Sequence, residues 1–410
     1  DLDLIINNVN EEAFLYTNNS DLLPGANYLR IELYKNEKPG SFLGAKAKLS
    51  INGNIQYQEL SNARGMYSSS ENIFHFGLGA SPTDVSLLIT WPDSRITELS
   101  NVKVNQVLKV NYEDSKNSEA AVSLQKKPYF HDITELSGLR YKHQENPFND
   151  YLKQPLLPHK MSYFGPALAV GDVNADGLDD FFVGGSTGLS GQLYMQSSEG
   201  TFSLSQSMPW FIDRLSEDVG ASFFDADQDG DLDLYVVSGG YEYDENTEYY
   251  QDRLYVNNGK GLLAKSQISL PRFISSGSRV VSGDYDGDGD IDLFVGGRQK
   301  PWRYPEAVNS YLLENVTVEA DKPMFNDVTL IKAPDLRDLG MVTDAIWVDY
   351  DNDEDLDLVI VGNWMPIEVL RNNNNRFDKI DDPALQQYKG WWNCIDKGDF
   401  DGDGNEEFIV

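Results

Sequence analysis

Five short acidic segments carry the residues of this sequence that are best placed to do chemistry. Each is a nonapeptide between apolar stretches, with oxygen-bearing side chains at positions 1, 3, 5 and 9 and, in most copies, Gly at position 6. The residue at position 7 offers its backbone carbonyl. Positions 1, 3, 5, 7 and 9 are Asp172, Asn174, Asp176, Leu178 and Asp180 in the first loop, Asp225, Asp227, Asp229, Asp231 and Asp233 in the second, Asp284, Asp286, Asp288, Asp290 and Asp292 in the third, Asp349, Asp351, Asp353, Asp355 and Asp357 in the fourth, and Asp399, Asp401, Asp403, Asn405 and Glu407 in the fifth.

This spacing predicts a metal site in each loop. Alternate residues of a tight loop can converge on one point, and Gly at position 6 permits the positive φ that the reversal needs. Carboxylates forced within a few ångströms repel by about 1–4 kcal/mol per pair at 4 Å, which a cation offsets. The donors are hard oxygens, so we expect up to about five Ca²⁺ ions, with Mg²⁺ second and zinc disfavoured. The alternative is that the Asp-Gly pairs form plain β-turns.

Two loops depart from the pattern. In the fourth, Glu354 stands at position 6, so that loop must close without Gly. In the fifth, Glu407 replaces Asp at position 9, and its longer arm shifts the ligand that it would supply. An EF-hand is not indicated, because it needs a twelve-residue loop between helices, whereas exits such as 181–185 and 293–297 are β-type.

The loops recur with the spacing of propeller blades. Their first residues lie 53, 59, 65 and 50 residues apart, and four strands of about 5–6 residues with their turns fill such a period. A further strand is predicted in each period, at 192–196, 253–257, 310–315 and 367–372. The first residues of the chain, 1–6 and 13–18, repeat the loop exit and this strand. We therefore expect part of another blade at the N-terminus, and a protein that continues in both directions.

Composition narrows the class of partner. The chain has 66 acidic and 33 basic residues among 410, a net charge of −33, which argues against binding nucleic acid or anionic lipid. Cys394 is the only cysteine, so no intrachain disulfide can form. No apolar run is long enough to span a membrane. The sequence opens abruptly, so a signal peptide is not visible in this fragment.

The acidic nonapeptides between apolar strands resemble FG-GAP/VCBS repeats of integrin-α-like propellers, over about residues 160–410. That resemblance implies Ca²⁺ in the loops and, in the usual case, seven blades. A second resemblance covers about residues 25–113, on Gly44-Ala45, Arg64-Gly65, Tyr67-Ser68-Ser69, His75 to Gly79, Trp91-Pro92 and 101–106. This region is similar to the ASPIC/UnbV domain found beside such propellers, including in the cartilage acidic protein family.

The expected fold class is all-β, a partial propeller with calcium-binding hairpin loops plus a small sandwich or barrel. The predicted boundaries are 1–23 for the end of an upstream blade and 24–115 for the ASPIC/UnbV-like domain. Residues 116–160 form a linker that leads into the propeller, and 161–410 hold about five repeats. Phe76-Gly-Leu-Gly and Trp91-Pro92 are interpreted as packing and turn features.

No catalytic constellation stands out. The four histidines have no zinc-type spacing, no Ser lies in a G-x-S-x-G elbow, and Cys394 has no evident base. The tyrosines and acids of 241–250 are the best candidate for a binding rim. We expect a secreted or cell-surface binding or scaffold module that engages a protein or glycan at a propeller face. The alternatives are a propeller-based hydrolase or lyase assisted by Ca²⁺, and a purely structural spacer.

Overall fold

The structure is a computed structural model of the chain, and it describes residues 3–8, 11–19, 25–63, 70–80, 82–117, 130–320, 322–402 and 406–410. The chain forms two compact units, Asp1–His131 and Asp132–Val410. Strands dominate both units, in agreement with the predicted all-β class.

The first unit contains a separate hairpin and two four-stranded sheets. The hairpin pairs β1 (Leu4–Ile6) with β2 (Phe14–Tyr16) in antiparallel register. The remaining strands are β3 (Tyr28–Lys35), β4 (Lys38–Pro39), β5 (Lys46–Ile51), β6 (Asn54–Glu59), β7 (Phe74–Gly77), β8 (Ser86–Thr90), β9 (Ile96–Leu99) and β10 (Gln106–Asn111). β3 pairs with β4, β7 and β10, the last in parallel, while β6, β5, β8 and β9 form an antiparallel sheet.

Buried and exposed side chains alternate along these strands, and the buried ones build one core. In β5 and β8 every second side chain is buried, as expected for strands with one face against a core. Phe76 and Trp91 are both buried in this cluster, and the Trp91 indole N–H donates to Thr97 Oγ1 at 2.9 Å. The interpretation of these two motifs as packing features is confirmed. Residues 64–69, which carry part of the ASPIC/UnbV resemblance, lie outside the described residues.

The second unit is a series of four antiparallel blades followed by a hairpin. The first two blades are β11 (Leu168–Gly171), β12 (Asp180–Val183), β13 (Gln192–Gln196) and β14 (Phe202–Leu204), then β15 (Glu217–Phe224), β16 (Asp233–Gly239), β17 (Arg253–Val256) and β18 (Ala264–Lys265). The third contains β19 (Ser276–Gly283), β20 (Asp292–Gln299), β21 (Tyr311–Asn315) and β22 (Phe325–Asp327). The fourth contains β23 (Met341–Val348), β24 (Asp357–Met365), β25 (Glu368–Asn372), β26 (Phe377–Lys379) and a short added strand, β27 (Gly390–Trp391). The hairpin is β28 (Asp396–Gly398) and β29 (Glu407–Ile409).

Within each blade the strands pair in chain order, and the four additional strands predicted from the repeat are β13, β17, β21 and β25. Second strands such as β16 and β20 are buried on both faces, which explains their continuous apolar sequences. The helices are the single turns α1 (Thr329–Lys332) and α2 (Pro383–Gln386), with short 3-10 segments elsewhere. No sheet closes on itself within the described residues.

The first strands of successive blades lie side by side. Together with the last hairpin they bound a groove of about 950 Å³, whose lining includes Leu168, Ser222, Val281, Ile346 and Ile409. A buried carboxylate, Asp218, also links two neighbouring blades. Asp218 accepts from Arg253 at 2.8 Å within its own blade, and from the backbone N–H of Gly185 in the preceding blade.

Candidate metal centres

Each acidic loop connects the first and second strands of a blade. Position 1 follows the first strand, and position 9 is the first residue of the second strand in all five copies, at Asp180, Asp233, Asp292, Asp357 and Glu407. Because the two strands are antiparallel neighbours, the loop is a hairpin turn, as predicted.

The carboxylates at positions 1 and 5 fold each of the first four loops onto itself. Position 1 accepts the backbone N–H of position 6 in four loops, at 2.8 Å for Asp172 and Gly177, 3.0 Å for Asp225 and Gly230, and 3.1 Å for both Asp284 with Gly289 and Asp349 with Glu354. Position 5 accepts from position 7, as in Asp229 and Asp231 at 3.0 Å. These bonds use some of the carboxylate oxygens and leave others facing the loop interior.

In the first four loops, two left-handed residues bring alternate side chains to one side. Position 6 has positive φ in the first four loops, between 73° at Glu354 and 95° at Gly289, which confirms the expected reversal there. Position 4 is also left-handed, at Ala175, Gln228, Gly287, Asn352 and Gly402. This second reversal was not anticipated from the sequence, because Gly occupies position 4 in only two loops.

Acidic oxygens converge in four of the loops. Within each group, one ligand atom per residue lies within 4.8 Å of the others, and the groups are Asp225, Asp227 and Asp229; Asp284, Asp286 and Asp292; Asp349, Asp351 and Asp353; and Asp399, Asp401 and Glu407. In the first loop Asn174 stands at position 3, and its amide both donates to and accepts from Asp176 at 3.0 Å. Asp403 and Asn405 lie outside the described residues, and the position-7 carbonyl ligands remain a prediction.

The acid at position 9 also accepts hydrogen bonds from two backbone N–H groups. Asp233 accepts the N–H of Ala226 at 3.0 Å and that of Asn257 at 2.7 Å, so it joins the loop to the end of the third strand. Asp357 makes the same pair of contacts with Tyr350 and Asn372. Burial raises the pKa of Asp233 to about 7 and is opposed by these two hydrogen bonds. The acid at position 9 is therefore built into the blade besides being a candidate ligand.

Three asparagines connect the first four loops in sequence. Asn315, at the end of β21, donates its side-chain N–H groups to the carbonyl of Ala226 in the second loop and of Ile291 in the third, at 3.0 and 3.2 Å. Asn257 links the first and second loops in the same manner, and Asn372 links the third and fourth. Sequence reasoning missed this chain of contacts, although an Asn at the end of three predicted strands was a usable signal.

The donor set fits a hard divalent cation. Asp225 Oδ1 and Asp286 Oδ1 are buried and have no hydrogen-bond partner in the described part of the chain. Burial together with neighbouring acids raises the pKa of Asp231 to about 6. Unpartnered buried carboxylate oxygens are costly unless a cation meets them. Oxygen-only ligands at this spacing suit Ca²⁺ better than zinc.

Basic side chains approach two of the loops. Lys332 Nζ lies 3.3 Å from Asp286 Oδ2 in the third loop and 2.5 Å from Glu314 Oε2. Arg371 Nη1 lies 3.4 Å from Asp351 Oδ2 in the fourth. Lys332 and Arg371 each contact the acid at position 3 of their loop. A basic side chain of the protein therefore balances part of the negative charge of these two loops.

The other ends of the strands hold a different acidic cluster. Glu217 and Glu242 are adjacent, and burial raises the pKa of both carboxyl groups, aided at Glu217 by the charge of Glu242. His143 Nε2 contacts Glu145 Oε1 at 2.7 Å nearby. Glu217 is only 1% exposed, so this pair is poorly placed to meet a substrate. Of the tyrosines expected to form a binding rim, Tyr241 and Tyr250 are buried and serve packing instead.

The repeated blades with acidic hairpin loops define a protein of the β-propeller type. The family model for the FG-GAP-like repeat matches residues 172–236, 238–295 and 349–410, which include all five loops. The model for ASPIC and UnbV matches residues 35–117. The chain is therefore an FG-GAP repeat protein with an ASPIC/UnbV domain.

FG-GAP repeats are typical of extracellular β-propeller modules. Among solved structures, the chain is similar to the Bacillus licheniformis rhamnogalacturonan lyase PL11, at 14% identity and a TM-score of 0.25. That alignment covers 94% of this chain and 58% of the lyase chain. No curated protein matches the sequence. None of the helices in the described ranges combines the length and apolar character that a membrane crossing requires.

Proposed function

We propose that this chain is a noncatalytic, extracellular binding module whose blade loops bind Ca²⁺ and whose propeller presents a face to a protein or glycan ligand. The observation that carries the calcium proposal is the convergence of three acidic oxygens in each of four loops, with buried oxygens of Asp225 and Asp286 left without hydrogen-bond partners. The described lining of the central groove includes no member of these four groups. This arrangement supports ions held in the blade loops and away from the central groove.

Calcium would stabilise the fold by joining the two innermost strands of each blade at their turn. Extracellular calcium modules bind with Kd of about 10⁻⁴–10⁻³ M. A site with Kd of about 10⁻⁴ M in 10 mM Ca²⁺ would add roughly 2.7 kcal/mol to the free energy of unfolding. Affinities in this range suit calcium-rich surroundings outside the cell, which supports the proposed secreted or cell-surface location.

The test is to compare melting temperature and ion stoichiometry in EDTA, Mg²⁺ and Ca²⁺. We expect Ca²⁺ to raise the melting temperature by more than Mg²⁺ does, and native mass spectrometry to show about four to five bound ions. A melting temperature that ignores millimolar Ca²⁺, together with an ion-free mass, would refute the proposal.

A pair of variants assigns the effect to the loops. Asp225→Asn removes a carboxylate of the second loop and keeps its size, so one ion should be lost. Asp338→Asn removes the same charge at an exposed site outside the loops and should keep every ion. Equal stoichiometry in the two variants would show that the second loop is not a site.

A further inference from the structure

Two tryptophans lie together on the surface of the fourth blade. Trp364 is 58% exposed and Trp391 is 41% exposed. Their ring centroids are 5.3 Å apart and the ring planes are nearly perpendicular, at 88°. Trp391 lies in β27, which pairs with the end of β24, so the blade itself holds the two rings side by side. Large exposed aromatic side chains that are fixed in place commonly mark binding surfaces.

The Trp364 ring is held in its exposed position. The residue has φ of 62°, a left-handed conformation that is unfavourable for a bulky side chain. Its indole N–H donates to the Tyr304 hydroxyl at 2.6 Å. Backbone strain at an exposed aromatic is retained only where the surroundings enforce it, and such positions cluster at ligand sites. A ring fixed before binding loses little conformational entropy when a ligand stacks on it.

A histidine completes the edge of this surface. The His159 ring packs against Trp391, with centroids 5.5 Å apart and planes at 78°. Burial, aided by the charge of Arg298, lowers the pKa of His159, so its imidazole is neutral near pH 7 and offers one donor and one acceptor. The groups that border the two indoles thus include a hydroxyl and an uncharged imidazole.

The two rings lie far from the metal loops. Trp364 is seven residues along β24 from Asp357 of the fourth loop, which corresponds to about 23 Å at the rise of an extended strand. A ligand on the indoles would therefore not touch a loop-bound ion, and the two kinds of binding can be measured separately.

We propose that Trp364 and Trp391 form the binding platform for a neutral polysaccharide, with Tyr304 and His159 as hydrogen-bonding groups at its edge. A pyranose ring has an apolar face of C–H groups that stacks on an indole, and equatorial hydroxyls that meet donors and acceptors around it. The chain's net charge of −33 disfavours polyanionic sugars. The platform rests on the proposed function as an extracellular binding module and names its ligand class.

The experiment combines a glycan array with tryptophan fluorescence titrations of the Ca²⁺-loaded chain. The soluble probes are neutral gluco-, manno-, xylo- and galacto-oligosaccharides, an oligogalacturonate, and choline as a test of a cation bound between aromatic rings. We expect binding of at least one neutral oligosaccharide. Trp364→Ala and Trp391→Ala should each weaken it about tenfold or more, as for a central contact residue.

Two further variants make the result specific. Phe211→Ala removes another exposed aromatic, 54% accessible, from the same unit and should leave affinity unchanged. Tyr304→Phe keeps the ring but removes the hydroxyl that fixes Trp364, so it should weaken binding by less than Trp364→Ala. Melting temperature and ion count in Ca²⁺ show that each variant is folded.

Binding that survives both tryptophan substitutions, binding only of oligogalacturonate or choline, or no binding at all would each overturn the platform. The calcium proposal has its own readout in ion count and melting temperature. A chain that binds Ca²⁺ but no neutral glycan would refute the platform alone.

Discussion

Replacing Lys332 by Met should make the third loop a stronger calcium site. The Lys332 ammonium lies 3.3 Å from Asp286 Oδ2, 2.5 Å from Glu314 Oε2 and 3.1 Å from the Tyr285 hydroxyl. Its side chain is 20% exposed, so solvent screens it only in part. Met keeps most of the length and apolar stem of Lys and removes the charge.

The size of the effect follows from Coulomb's law. A unit charge about 5 Å from a divalent ion repels it by roughly 1.7 kcal/mol at a dielectric of 80 and about 6.6 kcal/mol at 20. We take the lower end, because Glu314 also balances the ammonium and part of the lysine is solvated. A change of about 1.4 kcal/mol corresponds to tenfold in Kd. Lys332→Met should therefore tighten calcium binding at this loop about tenfold.

Without calcium the same substitution should destabilise the fold. Asp286 and Glu314 would lose the cation that they share, and Asp286 would stay mostly buried among other acids. The melting temperature of Lys332→Met should therefore lie below that of the parent chain in EDTA and recover in Ca²⁺. The difference in melting temperature between the variant and the parent, compared in EDTA and in Ca²⁺, measures how far the lysine substitutes for the ion.

Calorimetric calcium titrations and thermal melts test this reasoning, with Lys322→Met as the matched control. Lys322 pairs with Glu319 on the surface of the same blade, where both side chains are more than 60% exposed. The control removes an equal charge from an ion pair that contains no acidic residue of the loops. If Lys332→Met titrates like Lys322→Met, or binds calcium more weakly than the parent, the lysine does not compete with the ion.

Three other substitutions test separate features. Glu354→Gly should raise the free energy of unfolding in Ca²⁺ by roughly 0.5–1 kcal/mol, because it relieves a left-handed non-Gly residue, φ 73°; a loss of stability in urea unfolding would contradict this. Glu217→Gln concerns pH: the folded pKa of Glu217 is raised above its ordinary 4.5 by burial and Glu242, so the native state holds a proton that the unfolded chain has lost, and stability falls as pH rises above about 4.5. The variant should lose this slope and exceed the parent in melting temperature at pH 8 but not at pH 4; parallel profiles would refute the argument. Asn315→Ala removes the side-chain donor that two backbone carbonyls share, of which that of Ala226 also accepts from Thr317 Oγ1 at 3.4 Å, and should cost about 2 kcal/mol; a cost under about 0.5 kcal/mol in denaturant would show that the link between loops is unimportant.

Much of the blade architecture was predictable because it depends on local patterns. Apolar stretches with β-type residues became β12, β16, β20 and β24, and the acidic nonapeptides became the hairpin turns between them. Glycine at position 6 signalled the left-handed residue there. Position 4 gave no comparable signal, since Ala175 and Gln228 adopt φ of 57° and 62° without being glycine.

Other parts of the candidate sites depend on contacts between distant segments. Lys332 reaches Asp286 across 46 residues, and Asn315 reaches Ala226 across 89. Neither partner follows from spacing within a repeat, because each contact requires the turn of the blade or the stacking of two blades. For residues 241–250 the local pattern was misleading. Their acidic and aromatic side chains suggest a surface rim, but Tyr241 and Tyr250 are buried.

The division of the blades into two ends explains why the acidic loops repeat closely while the opposite ends differ. At the loop end, each position-9 acid accepts backbone N–H groups of its own blade, and each bridging Asn donates to carbonyls of its own and the preceding loop. A change in one copy therefore leaves polar groups unpaired in two loops. At the other end the second strands run out individually, into Tyr241 in one blade and Trp364 in another. Tyr304 of the third blade joins these two residues, because its hydroxyl accepts the Trp364 indole N–H at 2.6 Å and its backbone N–H donates to the Tyr241 hydroxyl at 3.5 Å. These contacts include no residue of an acidic loop, so a ligand site at this end can be built without changing the contacts that the loops repeat.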